Sequence, residues 1–163
     1  SIALLLFSIV VSPFWSAFTD AYTKKEYLWM RATLRKLRLT SYGVIGMLLA
    51  LVLIANDVYK FWIGGLVDIP FKISIIVAIY MVMLIVVSLH TQILNGIGKI
   101  KIQLIAYSLG TIFHIPLAIT LGKLYGITGV LVSAILFYFI ISLLTIIQVN
   151  KLMKNEAKGI WVK

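Results

Sequence analysis

The chain has 163 residues, of which 62% are hydrophobic and 12% are Asp, Glu, Lys or Arg, and its net charge is +10. Because soluble domains carry roughly 25% charged residues, this composition excludes an ordinary soluble domain. The absence of cysteine excludes disulfides and thiolate metal sites, and basic residues at the ends of apolar runs indicate lipid headgroups, not nucleic acid, as the partner.

Long apolar runs alternate along the chain with short segments that hold most of the charge. About 20 apolar residues are enough for a helix to cross the hydrocarbon core of a bilayer. The runs therefore predict an all-α, polytopic membrane helix bundle with spans at about 1–19, 40–63, 69–95, 102–122 and 127–149. Because Ser1 already lies inside an apolar run, we expect residues 1–163 to be a fragment of a longer chain.

Lysine and arginine divide unevenly between the two sides of such a bundle. With five crossings, one side carries twelve of them, in 20–39, in the loop at 96–101 and in the tail at 150–163, whereas the other side carries three. The positive-inside rule places the richer side in the cytoplasm. We therefore expect a multi-pass protein whose basic tail and C-terminus are cytoplasmic.

Residues 20–39 form a basic segment that differs from the spans. Its apolar positions share one sector of a helical wheel: Tyr27, Met30, Leu34 and Leu37. Its basic positions share the neighbouring sector: Lys24, Arg31, Arg35 and Arg38. This pattern predicts an amphipathic helix in the cytoplasmic interface, which serves either as a topological anchor or as a guide for a phosphate-bearing lipid. In the second case Arg31, Arg35 and Arg38 are candidate lipid-phosphate contacts.

The inner half of the third span is unusually polar for a membrane helix. Spacing of three to four residues places Ser88, Gln92 and Asn95 on one face. Polar groups are costly in hydrocarbon, so such a face requires water, a ligand or another polar helix. These three residues are our candidates for a polar translocation path.

Three ionisable residues are candidate ion-coupling groups: His90, His114 and Asp20. A histidine can titrate near physiological pH. His114 lies two residues before Pro116, and we expect that proline to bend or open the fourth span. The alternative for His114 is a structural hydrogen bond to the carbonyl that the proline frees. Asp20 ends a serine stripe that serves either helix packing or a water-filled cavity.

Catalytic motifs are absent from the sequence. It contains no HExxH zinc motif, no GxSxG nucleophile motif and no phosphate-binding glycine loop, and only five residues are acidic. The connections between spans are too short to assemble a catalytic site. We therefore expect part of a transporter that is not an enzyme and has no cofactor or metal.

Four segments carry a resemblance to a known family. They are SPFWSAFTDAYTKKEYLWMRATLRKL at 12–37, NDVYKFWIGG at 56–65, LNGIGKIKIQ at 94–103 and KLYGITGVLVSAIL at 123–136. In this order, and with the charge pattern, they resemble the C-terminal lobe of bacterial polysaccharide (O-antigen or capsule) flippases. These are the Wzx-like and PST-type transporters of the MOP superfamily, which also includes the MATE exporters.

The resemblance implies a transporter of twelve helices in two six-helix lobes, of which this chain supplies most of the second. It implies alternating-access flipping of oligosaccharides linked to undecaprenyl pyrophosphate, for surface polysaccharide biosynthesis, in the bacterial cytoplasmic (inner) membrane. The implied partners are the N-terminal lobe, the lipid-linked substrate, and polysaccharide polymerase and chain-length machinery. In the family, basic residues in the cavity hold the pyrophosphate. Since no Lys or Arg lies in the interior of a predicted span, and Lys60 and Lys72 lie only near the outer ends of two spans, that role falls to the N-terminal lobe or to the basic segment.

Three other functions remain open at this point. A MATE-like exporter would drive small molecules outward with a cation. An integral-membrane polysaccharide-assembly enzyme would need an acidic or histidine site, and a structural subunit of the assembly complex would need none.

Overall fold

The computed structural model describes residues 2–63 and 70–162, and all secondary structure in these ranges is helical. The α-helices are α1 (Ile2–Val11), α2 (Phe14–Thr23), α3 (Tyr27–Leu53), α4 (Ala55–Ile63), α5 (Phe71–Ile97) and α6 (Lys101–Met153), and a 3-10 helix, η1, covers Gly159–Val162. Three of them, α3, α5 and α6, are long and apolar enough to cross a membrane. The predicted all-α membrane-type fold is thus confirmed at this level. The predicted spans also include residues 1 and 69, which lie outside the described ranges.

The first predicted span, 1–19, consists of two helices. Pro13 has no N–H to donate, so a continuous helix would lose a hydrogen bond there, and α1 ends at Val11 before α2 begins at Phe14. α2 continues past the predicted end of the span to Thr23. The chain then turns into α3 through Lys25, which has a φ of 58°.

α3 joins two parts of the chain that the sequence analysis separated. Residues 27–39, from the basic segment, and residues 40–53, from the second predicted span, form one continuous helix. α4 follows after a break at Ile54. The predicted boundary near residue 39 is therefore not a helix end, and a separate interfacial helix stays a prediction.

α6 reverses direction and is in effect a helical hairpin. Gly126 has φ 62° and ψ −144°, a conformation outside the helical region, whereas the dihedrals on both sides are helical. We call residues 101–125 the first limb of α6 and residues 127–153 the second limb. The rings of Tyr107 and Phe137 lie 5.9 Å apart across them. The first limb stays helical through Pro116, so the prediction that this proline opens the span is wrong, whereas a bend at Pro116 stays a prediction. The chain reverses at Gly126.

The hydrophobic core surrounds α5, which packs against α1, α2, α3 and α6. The fully buried side chains include Phe18 of α2, Met30 of α3, Ile93 and Leu94 of α5, and Val149 of α6. These residues come from the parts of α2, α3, α5 and α6 that neighbour the basic segments. The core therefore lies at that end of the bundle.

Close contact between helices is possible at that end because one residue of α5 has no side chain. A Cβ on Gly96 would lie 2.7 Å from the backbone oxygen of Trp15 in α2. The hydroxyl of Thr19 donates to the Gly96 carbonyl at 2.5 Å. α5 then ends at Gly98, whose φ of 76° allows the N–H of Lys99 to bond the carbonyl of Leu94 at 3.0 Å.

The backbone conformation of Gly126 predicts how a substitution there changes the stability of the protein. We expect Gly126→Ala to lower the free energy of unfolding by about 1–3 kcal/mol, because residues with a Cβ rarely adopt this backbone region. Unfolding by SDS in mixed micelles measures the change. Gly43→Ala is the matched control, since a Cβ at Gly43 of α3 meets nothing within 4 Å, and alanine at a helix interior is neutral or stabilising. Equal stability of the two variants would contradict the hairpin geometry.

Candidate functional site

A polar cavity of about 290 Å³ lies where α3, α5 and the second limb of α6 meet. Its lining combines charged, hydroxyl, imidazole and aliphatic side chains: Arg38, Ser41, Tyr42, Ile45, Val86, Leu89, His90 and Ile146. Arg38 and His90 are both residues that the sequence analysis selected, for different roles. The structure brings them together although 52 positions separate them in sequence.

The guanidinium of Arg38 joins the three helices. Its Nη2 atom donates to Oδ1 of Asn150 in α6 at 2.8 Å and lies 3.2 Å from Nε2 of His90 in α5. A guanidinium has five N–H donors, and these two bonds use only Nη2. Among residues 2–63 and 70–162, the Nε and Nη1 donors of Arg38 have no hydrogen-bond partner, so they remain free to bind a ligand.

The hydrogen bonds of His90 define its tautomer. Its Nδ1 lies 2.7 Å from the carbonyl oxygen of Val86, and a carbonyl can only accept, so Nδ1 carries a proton. Its Nε2 faces Arg38, and a guanidinium can only donate, so Nε2 is unprotonated. His90 is therefore a neutral imidazole that accepts a hydrogen bond from Arg38.

The charge of Arg38 is not neutralised within the described ranges. The ion pair found there joins Lys24 to Asp20, at 2.7 Å, and Arg38 has no carboxylate within salt-bridge distance. Its two partners, His90 and Asn150, are neutral. A half-buried cation without a counter-ion creates a positive potential in the cavity and favours the binding of an anion there.

Local sequence explains how α3 directs Arg38 inward. Leu34 and Leu37 are buried in the core, and Arg38 is adjacent to Leu37 and one turn after Leu34. It therefore lies at the edge of the buried face and is half-buried itself. A second bond, from Nε of Arg31 to the carbonyl of Met153 at 2.9 Å, holds α3 antiparallel to the second limb of α6.

The other two candidate phosphate contacts differ from Arg38. Arg31 donates to α6 and lies outside the cavity lining. Arg35 is exposed and has no hydrogen bond in the ranges that the structure describes. Only one of the three predicted arginines is thus part of the cavity.

Ser88, Gln92 and Asn95 share one face of α5, as the spacing predicts. A step of two residues turns a helix by about 200°, so Ser88 points away from the side of α5 that carries His90. All three side chains are half-buried, and none makes a side-chain hydrogen bond with the rest of the described chain. This polar face is separate from the cavity and is available for water, a ligand or another helix.

The remaining ion-coupling candidates lie elsewhere. Asp20 is exposed and pairs with Lys24, and this hydrogen bond raises the pKa of Lys24 above its ordinary value. His114 lies in the first limb of α6, with its Nε2 3.3 Å from the Ser133 hydroxyl. Because Ser133 gives its own proton to the Val130 carbonyl at 2.7 Å, His114 donates Nε2–H to Ser133. The three candidates do not form one site.

His114 and Ser133 belong to a larger and mainly apolar groove between the limbs of α6. Its volume is about 470 Å³, and its lining includes Leu109, Phe113 and Phe137. The His114 ring lies 5.0 Å from the Phe137 ring. Among the residues that the structure describes, none with a charged side chain lines the groove, so it differs in chemistry from the Arg38 cavity.

Sequence reasoning missed three residues of the polar site. Asn150, which accepts a hydrogen bond from Arg38, falls in the predicted cytoplasmic tail. Ser41 and Tyr42 fall in the second predicted span, where the sequence gives them no role. A partial signal was present, because an arginine next to a buried leucine needs an acceptor. The identity of that acceptor depends on which helices are neighbours.

Comparisons of the chain with protein-family models, with curated proteins and with solved structures find no match.

The Arg38 bonds predict a stability effect at Asn150. We expect Asn150→Leu to lower the free energy of unfolding by about 1.5–3 kcal/mol, because it removes a hydrogen bond to a charged group. Asn56→Leu provides a matched control, since Asn56 is exposed in α4 and makes no side-chain bond with the described residues, so its change should stay within about 0.5 kcal/mol. The same SDS titration measures both variants, and an unchanged Asn150→Leu protein would show that the bond does not join α3 to α6.

Proposed function

We propose that this chain is the C-terminal lobe of a bacterial flippase that moves oligosaccharides linked to undecaprenyl pyrophosphate across the cytoplasmic membrane. The observation that supports this function best is the cavity beside Arg38. It offers unpaired N–H donors and an unneutralised positive charge on a helix long and apolar enough to span a membrane. The resemblance of the sequence to such flippases agrees with this chemistry.

A pyrophosphate carrier suits this cavity because arginine binds phosphate oxygens through paired N–H donors. Hydrocarbon is a prohibitive environment for a charged headgroup, so a transporter must supply compensating polar groups along the path. In this proposal Arg38 contacts the pyrophosphate. Arg31 and Arg35 attract the lipid to the cytoplasmic surface from the same helix.

The proposal includes five membrane crossings. α1 and α2 make the first, α3 with α4 the second, α5 the third, and the two limbs of α6 the fourth and fifth. Each limb of α6 has about 25 residues and is about 37 Å long, which is sufficient for a bilayer. The bonds of Arg31 to Met153 and of Gln148 to the Lys99 carbonyl bring the basic segments to one end of the bundle. We assign that end to the cytoplasm.

The second element of the proposal is the polar face of α5. Ser88, Gln92 and Asn95 have unused hydrogen-bonding groups, which suit hydroxyl-rich sugars or the water around them. The N-terminal lobe would close the other side of this path, and rocking of the two lobes would expose it alternately to each side of the membrane. No covalent chemistry is required of the chain, and polymerase and chain-length machinery would act on the product.

The alternative transporter is a MATE-like, cation-coupled exporter of small molecules, and the charge of the cavity favours a flippase over such an exporter where the exported molecules are cationic. Arg38 repels a cationic substrate and attracts an anionic one. A flippase of anionic carriers uses that potential directly. The polar cavity beside Arg38 is therefore the feature that distinguishes the two transporters.

Neutralising the charge of Arg38 should slow transport even though the arginine itself is retained. We expect Asn150→Asp to slow flipping by at least about tenfold, since the new carboxylate would pair with Arg38 and displace the phosphate, whose bond to a charged group is worth about 1.5–3 kcal/mol. The assay follows a pyrophosphate-linked lipid in proteoliposomes that contain the complete transporter. Asn56→Asp adds the same charge in α4 and should leave the rate unchanged. Equal rates for both variants would remove Arg38 from the transport path.

The polar face of α5 has its own test. We expect the double variant Gln92→Leu, Asn95→Leu in the complete transporter to lower surface glycan about tenfold or more, because leucine cannot hydrogen-bond the sugar or its water. Thr111→Val is the control, as the exposed Thr111 hydroxyl bonds only the Tyr107 carbonyl of its own helix. Glycan staining of cells, with membrane expression measured in parallel, gives the readout. Normal glycan in the double variant would exclude this face from the path.

A further inference from the structure

We infer that His90 links proton uptake to the binding of a phosphoryl-type oxyanion beside Arg38. In the empty cavity His90 is neutral, and it becomes protonated when an oxyanion enters. This inference rests on the proposed function, because that function places a phosphoryl group in the cavity, and it adds how the same site couples binding to protons.

The first step concerns the empty cavity. Nδ1–H of His90 already bonds the Val86 carbonyl, so a second proton must go to Nε2. That nitrogen lies 3.2 Å from Nη2 of Arg38, and protonation would oppose two positively charged donors at hydrogen-bond distance. Burial of His90 and a like charge this close both disfavour the protonated form. The geometry therefore keeps His90 neutral while no anion is present.

The second step concerns the occupied cavity. An oxyanion accepts hydrogen bonds and donates none, so it satisfies the free Nε and Nη1 donors of Arg38. Its negative charge also removes the repulsion that opposes protonation of His90. A protonated His90 then donates Nε2–H to an oxygen of the anion, while Nη2 of Arg38 keeps its bond to Asn150. Proton and anion occupy the site together more favourably than either does alone.

No other charged group that lines the cavity can take the place of the anion. α3 supplies Arg38 and Tyr42, and α5 supplies His90. The second limb of α6 supplies Ile146 to the lining and Asn150 to Arg38, and α1, α2 and α4, which also pack on α5, supply none of the described lining. Since these groups include no carboxylate, the residues that the structure describes leave the negative charge to a ligand.

Thermodynamic linkage predicts the direction in which the affinity for the anion changes with pH. If the anion favours protonation of His90, then protonation strengthens anion binding by the same factor. Affinity for the anion should therefore rise as the pH falls.

Sulfate is a suitable probe, because it is a tetrahedral dianion whose charge stays constant over the pH range in which histidine titrates. With the chain in zwitterionic nanodiscs, we expect sulfate to bind about fivefold or more tightly at pH 5.5 than at pH 8, the lower range of typical coupling between sites. His90→Gln keeps a neutral acceptor for Arg38, so it should retain the affinity seen at pH 8 and lose the pH dependence. His114→Gln is the matched control and should retain both.

Nitrogen-15 NMR tests the same linkage by measuring the protonated fraction of each histidine. The chain contains two histidines, His90 and His114, and the variants assign their signals. At a fixed pH near 6, sulfate should increase the protonated fraction of His90 and leave that of His114 unchanged. The variants serve only to assign the two signals, and the protonated fractions themselves are measured in the unaltered chain.

A comparison of nanodiscs identifies the source of the oxyanion. If phosphatidylglycerol nanodiscs increase the protonated fraction of His90 relative to phosphatidylcholine nanodiscs without sulfate, a lipid headgroup reaches the site. If only added sulfate does so, the site takes a free anion. Both results support the coupling.

Two results would overturn the inference, and they are distinguishable. Sulfate binding that is equally strong at both pH values would disprove the role of His90 and leave the anion site of the proposed function intact. An absence of sulfate or headgroup effects at every pH would disprove both, because Arg38 would then hold no anion.

Discussion

The unneutralised charge of Arg38 is the constraint on which the arrangement of α3, α5 and α6 depends. A cation that is half-buried among apolar helices must find acceptors, and the described chain offers it no carboxylate. It finds Nε2 of His90 on α5 and Oδ1 of Asn150 on α6 instead. Neutral acceptors fix the guanidinium in place and leave its charge uncompensated. The same interaction that holds three helices together therefore makes the cavity attractive to anions.

The buried core and the exposed apolar surface occupy different parts of this bundle. The buried core around Phe18, Met30 and Leu94 lies at the end where the basic segments meet, and it gives the Arg38 cavity a rigid support. Farther along the helices, large apolar side chains such as Phe61 and Phe113 are exposed, at 94% and 75%. In a membrane such surfaces contact lipid or other helices without penalty. This combination suits the proposed transporter lobe, which needs a supported binding end and surfaces that face lipid and a second lobe.

Polar residues in the apolar helices have two different roles. Ser133 and Thr145 bond carbonyls of their own helix, and His114 bonds Ser133, so their polar groups are satisfied within the bundle. Ser88, Gln92 and Asn95 have no such partners in the described chain. A polar group without a hydrogen-bond partner in a membrane helix requires a partner from outside the helix. The presence or absence of internal partners therefore distinguishes residues that stabilise the fold from residues that are able to contact a substrate.

Sequence alone determined the membrane-type class of the fold, because hydrophobic run lengths depend only on composition and order. It predicted the all-α fold and the polar face of α5, and it selected Arg38 and His90 for roles that stay predictions. The first limb of α6 does not open at Pro116, since packing can overcome that tendency of a proline, and α3 continues past residue 39, where the charge pattern changes. Only the tertiary structure showed that Arg38, His90 and Asn150 meet. Their contact depends on which helices are neighbours and in what register, and long-range packing, which no local pattern contains, decides both.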